Sequence, residues 1–380
     1  MFSFFIFAAS TATPLHRAAN RNSAEAYALS LSHSRAPCPC QDTSLCKPIG
    51  GPHIAEREIF GFNGGNGSLL DFSRVTSVAW PSDPQLICAA HKGPKPAKVI
   101  MAAPQPEKVF LENATVRAAW VAKTVAAVQN GYLDGITFDW ESPCDAGAPS
   151  QAAYATLIAQ TNKALKEVSP SYQVSVCVAW SPDGIDGRNY NIPAFAKAAD
   201  LLYVMDYDTR SQIFDACIAA ANAPLPGMIH GLQRYFDLGV PPSQLVLGVP
   251  WYGYRYPCVE GTDAKARYCP IPFRPFRGVN CSDAAGSEVG VSVIMQRLKA
   301  NSTTGRLWDK SQGAPFFNTV ENGGTVQYWY DDVSSLTPKY DYAKQAGVRG
   351  VGPYSFGNVN LLDARARSGF YEAFDAFLVG

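Results

Sequence analysis

From Glu56 onward, short apolar runs alternate with longer stretches of helical periodicity. Residues 59–62, 75–79 and 98–101 read as strands, each flanked by polar or turn-forming residues. Residues 115–128 carry apolar side chains at helical spacing and stop at Asn130-Gly131. A strand is predicted next over 133–141, a helix over 154–165 and a strand over 172–180. A helix over 192–199, strands over 201–207 and 245–249, a helix over 337–346 and a last strand over 350–354 complete the series. Eight strands with helices between them predict an α/β chain closed into a (β/α)8 barrel, the TIM-barrel architecture. A doubly wound open sheet has the same periodicity and stays as the alternative. Residues 251–338 are too long for a plain crossover and predict an excursion between strands seven and eight, over the barrel mouth or side.

The strand over 133–141 holds the candidate chemistry. Ile136, Phe138 and Trp140 alternate with Thr137, Asp139 and Glu141, and successive strand side chains point to opposite faces. Ser142-Pro143 ends the strand, because proline cannot donate to the ladder. Asp139 and Glu141 therefore share one face at the carboxyl end of a strand otherwise built for burial. Two adjacent carboxylates in such a place are costly unless one holds a proton, and like charges titrate as a unit. That pairing suits general acid–base work.

The remaining composition narrows the class. The chain has 380 residues, 47% hydrophobic, with 32 basic and 32 acidic side chains and a formal net charge of +0. No net field gathers nucleic acid or an anionic membrane. Aromatic residues make 12% of the chain, which suits a ligand with flat C–H faces such as a sugar, although core packing accounts for most of them. Ten cysteines at irregular spacing read as a disulfide framework in an oxidising compartment, with Cys177 a candidate buried thiol in an apolar run. Asn66, Asn113, Asn280 and Asn301 open glycosylation triplets consistent with that compartment. The five histidines show no metal spacing, and neither a metal nor a cofactor is expected. Gly61 to Gly67 is a glycine-rich turn without a P-loop lysine. Residues 1–37, apolar at 2–9 and then polar, are assigned to a leader and an uncommitted segment outside the fold, with residues 38–380 as a single domain. No later apolar run is long enough to span a bilayer.

The run Asp134-Gly135-Ile136-Thr137-Phe138-Asp139-Trp140-Glu141 resembles the strand-four signature of family 18 glycoside hydrolases, DGxDxDxE. Cys38-Pro39-Cys40 with Cys46, Val178-Ala179-Trp180-Ser181-Pro182, Met205-Asp206-Tyr207-Asp208 and residues 218–224 resemble the same family's lysosomal branch. So do Gly248-Val249-Pro250-Trp251-Tyr252-Gly253-Tyr254, Pro275-Phe276-Arg277, residues 282–286 and Tyr328-Trp329-Tyr330-Asp331. The resemblance spans about residues 38–370 in order. It implies a barrel and a retaining glycosidase that cuts β-1,4 bonds beside N-acetylglucosamine, in chitobiose cores of N-glycans and in chitooligosaccharides, from the reducing end. It implies Glu141 as general acid, Asp139 as the carboxylate that holds the substrate acetamide, and Tyr207 as a hydroxyl on that acetamide. Asp134 is implied as support from the loop below. The implied partners are N-acetylglucosamine oligosaccharides, bound by a monomeric chain, in the lysosome or, as the alternative, outside the cell.

The sequence departs from that pattern twice. Thr137 stands where many relatives have the first Asp of DxDxE; it can donate a hydrogen bond to Asp139 but cannot relay charge. Tyr354 stands nearest the usual strand-eight Trp and offers a smaller stacking face. Trp180, Trp251 and Tyr252 follow strand ends and are candidate cleft residues, as are the polar Asp208, Asn222 and Arg277. An open-groove endo-chitinase and a non-catalytic, chitinase-like lectin are the competing readings. Intact Glu141 argues against the lectin.

Overall fold

The computed structural model describes residues 15–31, 35–50, 56–65, 67–105 and 112–379. Eight parallel strands close into a barrel: β1 Glu58–Phe62, β2 Ser77–Ala79, β3 Lys98–Ala102, β4 Gly135–Phe138, β5 Gln173–Ala179, β6 Leu201–Met205, β7 Leu245–Pro250 and, after the excursion, β13 Gly350–Tyr354. The barrel is closed by β1 pairing with β13, in register Glu58↔Gly350 and Ile59↔Val351. Helices α2 Gln85–His91, α3 Ala114–Asn130, α4 Pro149–Val168, α5 Ile192–Ala198 and α6 Leu225–Asp237 fill the crossovers from β2 to β7. Almost every barrel-strand residue is buried, as expected of strands covered on both faces.

The excursion is a second sheet. Strands β8 Tyr252–Pro257, β9 Ser287–Gly290, β10 Leu307–Asp309, β11 Ala314–Glu321 and β12 Gly324–Trp329 pair antiparallel in the order β10-β11-β12-β8-β9. Helix α7 Val291–Asn301 lies among them, and α8 Val333–Gln345 leads back to the barrel. The bridges Cys258–Cys269 and Cys217–Cys281 fasten this sheet, the second tying it to the loop after β6; Cys38–Cys46 and Cys40–Cys88 fasten the N-terminal segment. The sulfurs of Cys38, Cys40 and Cys46 lie close together but are consumed by bridges. Cys144 and Cys177 are buried and outside the disulfides.

Two local devices aim the acidic strand. Gly135 has φ +154°, and a Cβ there would stand 1.9 Å from the carbonyl oxygen of Gln173, so β4 approaches β5 closely only with glycine at this position. Just before it, the Asp134 carboxylate accepts the backbone N–H of Val99 and of Ile49, each at 2.8 Å. The ring of His91 bridges the same carboxylate (Nε2 to Oδ2, 2.8 Å) and the carbonyl of Leu45 (Nδ1, 2.7 Å). Two acceptors on one ring favour the imidazolium. Burial alone would lower the His91 pKa, but Asp134 and the Leu45 carbonyl outweigh it and raise it. Asp134 thus pins the closed end of the barrel, opposite the cleft.

Helix α1 Leu15–Ser30 belongs to the segment read as a leader and is here packed on the barrel. Ala28 and Leu31 are buried in the outer core, and Ala24 lies with Phe62, Trp80 and Ala102 at the barrel mouth. No described helix is long and apolar enough to cross a membrane.

Candidate active site

A cleft of about 280 Å³ opens at the carboxyl ends of the strands, lined by Glu141, Trp180, Asp186, Arg188, Tyr207 and Asp208 among others. This is the end of a (β/α)8 barrel where several strands deliver side chains to one place. Regular β4 ends at Phe138, yet the alternation continues. Phe138 and Trp140 face the helices and pack on Tyr154 of α4, at 6.1 and 4.9 Å between ring centroids. Asp139 and Glu141 face the other way. Both come within 3.7 Å of the Arg21 guanidinium from α1, which also donates to the Asp139 carbonyl. Gln105, after β3, donates to that same carbonyl at 2.9 Å. The Asp139 side chain is 4% exposed and that of Glu141 21%, so Glu141 is the one that reaches open space.

The face below and beside the acids is aromatic. Tyr207, just past β6, stands 5.6 Å from Tyr354 and 6.0 Å from Tyr252 between ring centroids. Tyr354 also meets Phe62 (5.4 Å) and Trp80 (6.0 Å). Tyr354 is therefore bedded under the cleft rather than standing in its wall. Tyr252 donates to Asp208 Oδ1 at 2.6 Å, and Tyr254 reaches both Asp208 Oδ1 (3.1 Å) and Asp283 Oδ2 (3.2 Å). Burial first, then the charges of Asp208 and Asp186, push the Asp283 carboxyl up to about 8. It stands in the cleft as a neutral acid at lower pH, able to donate to a sugar hydroxyl.

The remaining expected residues separate. Trp180 is half-buried and lines the cleft, and Arg277 lines it from the excursion. Trp251 does not belong to it: it is fully buried among Phe356, Phe370, Tyr371 and Phe374. The physical reason is alternation; the chain leaves β7 at Pro250 with this side chain turned to the outer layer, while Tyr252 turns inward. Asn222 is buried, and its Oδ1 accepts the backbone N–H of Asp208 at 2.7 Å, which shapes the loop that carries Asp208. Thr137 lies inside the barrel, its hydroxyl 3.9 Å from the Cys177 sulfur. Asn113, Asn280 and Asn301 are exposed; Asn66 lies outside the described residues.

Charged and polar cleft residues that escaped the sequence reading include Arg188, Asp186, Asp283, Gln105 and Arg21. Trp80, under the cleft, escaped as well. The signal for the first two was the run Asp183-Gly184-Ile185-Asp186-Gly187-Arg188 directly after strand five, a polar, glycine-rich loop at the functional end of a barrel strand.

Comparison with known proteins agrees with this geometry. Residues 108–358 match the profile "Glycosyl hydrolases family 18". The chain is 39% identical to di-N-acetylchitobiase of Mus musculus over 335 residues, 87% of this chain and 88% of that protein. It is 35% identical to probable di-N-acetylchitobiase 2 of Dictyostelium discoideum over 341 residues, 86% of each. Among solved structures, the class V chitinase of Nicotiana tobaccum superposes with a TM-score of 0.66 at 16% identity, covering 84% of this chain and 98% of that one, which speaks to the fold. A closed parallel barrel with two acids at its open end fits a barrel glycoside hydrolase. The chain belongs to glycosyl hydrolases family 18.

Proposed function

We propose that this chain hydrolyses β-1,4 bonds of N-acetylglucosamine oligosaccharides, including the chitobiose core of N-glycans, with retention and from the reducing end. The observation that carries the reading is the pair Asp139 and Glu141 at the cleft beside Tyr207, in a chain whose near relatives are named di-N-acetylchitobiase. Glu141, the more exposed acid, gives its proton to the bridging oxygen as the bond to the leaving sugar breaks. The acetamide oxygen of the retained sugar attacks the same anomeric carbon and forms an oxazolinium ion. Asp139 accepts the acetamide N–H and offsets the positive charge that develops there. Tyr207 holds the acetamide in position. Water then adds to the anomeric carbon from the vacated side, giving its proton to the Glu141 carboxylate, so the two inversions retain the anomer.

The test is product analysis. Incubated with di-, tri- and tetra-N-acetylchitooligosaccharides between pH 4 and 7, the protein is expected to release reducing-end monomer from every length, with the β-anomer formed first at the new reducing end of the remaining product. Internal cuts of the tetramer would replace this reading with the endo-chitinase one.

The four disulfides fit an oxidising lumen, and with the resemblance of the sequence to the family's lysosomal branch they lead us to place the protein in the lysosome. Residues 1–37 fit a leader, and its removal before Cys38 would carry Arg21 out of the cleft. N-terminal sequencing of protein secreted by a eukaryotic host is expected to begin near Cys38; a chain that keeps Leu15–Ser30 would sink the leader assignment.

A further inference from the structure

Glu141 is gripped from the side by a loop that the mechanism above does not use. Arg188 Nη1 donates to Glu141 Oε2 at 2.7 Å, and Arg188 Nη2 donates to Asp186 Oδ2 at 3.1 Å. The Arg188 side chain is only 9% exposed. Its backbone is zipped to the segment just past Glu141: Cys144 N–H donates to the Gly187 carbonyl (2.9 Å) and Asn189 N–H to the Cys144 carbonyl (3.0 Å). Tyr190 adds hydrogen bonds to the carbonyls of Trp140 (2.8 Å) and Ser142 (2.6 Å), on either side of Glu141. The loop reaches this shape through three left-handed residues, Gly184 (φ 71°), Asp186 (φ 55°) and Gly187 (φ 76°). Asp186 is not glycine, and a left-handed conformation there is held only because its surroundings demand it. Those surroundings are Ser211, which donates to Asp186 Oδ1 at 2.8 Å, and Gln212, whose side chain accepts the Asp186 N–H at 2.9 Å and donates to the Arg277 carbonyl at 3.0 Å.

We propose that Arg188, held by Asp186, is a positioning residue that orients Glu141 and sets the pH range over which Glu141 gives up and regains its proton. The inference rests on the reading of Glu141 as general acid. A guanidinium in hydrogen-bond contact favours the carboxylate over the acid. That assists the second half-reaction, in which Glu141 must receive a proton from water, and it confines the first half-reaction to acidic solution. Asp186 shares the Arg188 charge and works in the opposite sense. The other charged and titratable groups that face Glu141 are Arg21 from α1, Asp139 on its own strand, Tyr190 on the Arg188 loop, and Tyr207, Asp208 and Asp283 across the cleft. These groups are unchanged in the variants below. Of the two arginines near Glu141, Arg188 makes the shorter contact, 2.7 Å against 3.7 Å for Arg21.

The measurement is the pH profile of kcat/KM for release of monomer from tri-N-acetylchitotriose by the full chain and by Arg188→Gln, Arg188→Lys and Asp186→Asn. The alkaline limb reports the proton on the general acid of the free enzyme. For Arg188→Gln it is expected to move up by about one pH unit, a roughly tenfold gain relative to wild type on that limb once each profile is scaled to its own maximum. For Asp186→Asn it is expected to move down, and Arg188→Lys is expected to stay near wild type. Opposite movements of two neighbouring variants are not the mark of general loosening. A limb that stays in place in both Arg188→Gln and Asp186→Asn, with rates scaled down equally at every pH, would overturn the proposal. Should Arg188→Gln fail to fold, Asp186→Asn decides it by the same criterion. Titration of the Glu141 side-chain carbon by NMR, assigned by its loss in Glu141→Gln, reads the same shifts without turnover. It separates failure of this inference from failure of the proposed activity.

Discussion

Glu141→Gln is expected to lower turnover of tri-N-acetylchitotriose by about 10³-fold or more, while binding of the same sugar by calorimetry stays within a few-fold of wild type. Glutamine keeps the shape and can still meet Arg188, but it has no proton to give to a leaving oxygen. The loss therefore falls on kcat, because the proton transfer is made only in the transition state. Asp139→Asn acts differently. Its carboxylate is nearly buried, backed by Gln105 on its own carbonyl, and its charge matters once the acetamide becomes cationic. A Glu141→Gln protein of proven purity that turned over at the wild-type rate would remove Glu141 from the chemistry, and with it the whole reading of the cleft.

The second large effect is on stability. Asp206 is fully buried behind Tyr207, and its carboxyl oxygens make no hydrogen bond among the described residues. Burial raises its pKa from 3.8 to about 7; Lys339 pulls it down and Asp331 pushes it up. Lys339 is already engaged with Asp331 at 2.7 Å, so it offers Asp206 limited relief. The sign follows from linkage. In the unfolded chain Asp206 ionises near 3.8, whereas in the folded chain it keeps its proton to about 7. Its contribution is complete below pH 4 and is lost progressively as pH rises to 7, at about 1.4 kcal/mol for each pH unit. Asp283, raised to about 8, and His91, raised by its two acceptors, lose stability in the same direction. The carboxylates held down, Asp71 by Ser73 and then Arg74, Asp183 by Arg234 and Asp375 by Arg74, act below that window and lose their contribution only as pH falls past 4. The melting temperature is thus expected to be highest near pH 4–5 and to fall by several degrees toward pH 8, with Asp206→Asn flattening the fall. A melting temperature that rises steadily from pH 5 to 8 would contradict this account.

Much of the barrel was legible because each strand is an apolar run closed by turn residues and each crossover has helical spacing. The boundaries shifted where capping decided them. The helix over 337–346 begins earlier, at Val333, since Asp332 caps it by accepting the backbone N–H of Ser334 and Ser335. Likewise the helix over 115–128 extends to Ala114–Asn130, started by the side chain of Asn113. The excursion was legible only as length. Its five-stranded order joins β12 to β8, some seventy residues apart, and a pairing at such separation leaves no local pattern.

Residues 133–141 by themselves determined that two carboxylates share a face, since strand alternation is a property of the backbone and needs no partner. They determined equally that Phe138 and Trp140 are spent on packing. What surrounds the acids was decided by the tertiary structure alone. Arg188 and Asp186 arrive from the loop after β5, Asp283 and Arg277 from the excursion, and Arg21 from the N-terminal helix. Trp251 and Tyr252 are neighbours in the chain and end in different layers. Closing the barrel brings the carboxyl ends of all eight strands together, so contacts separated by tens of residues set the charges around Glu141, and those separations are invisible to any local reading.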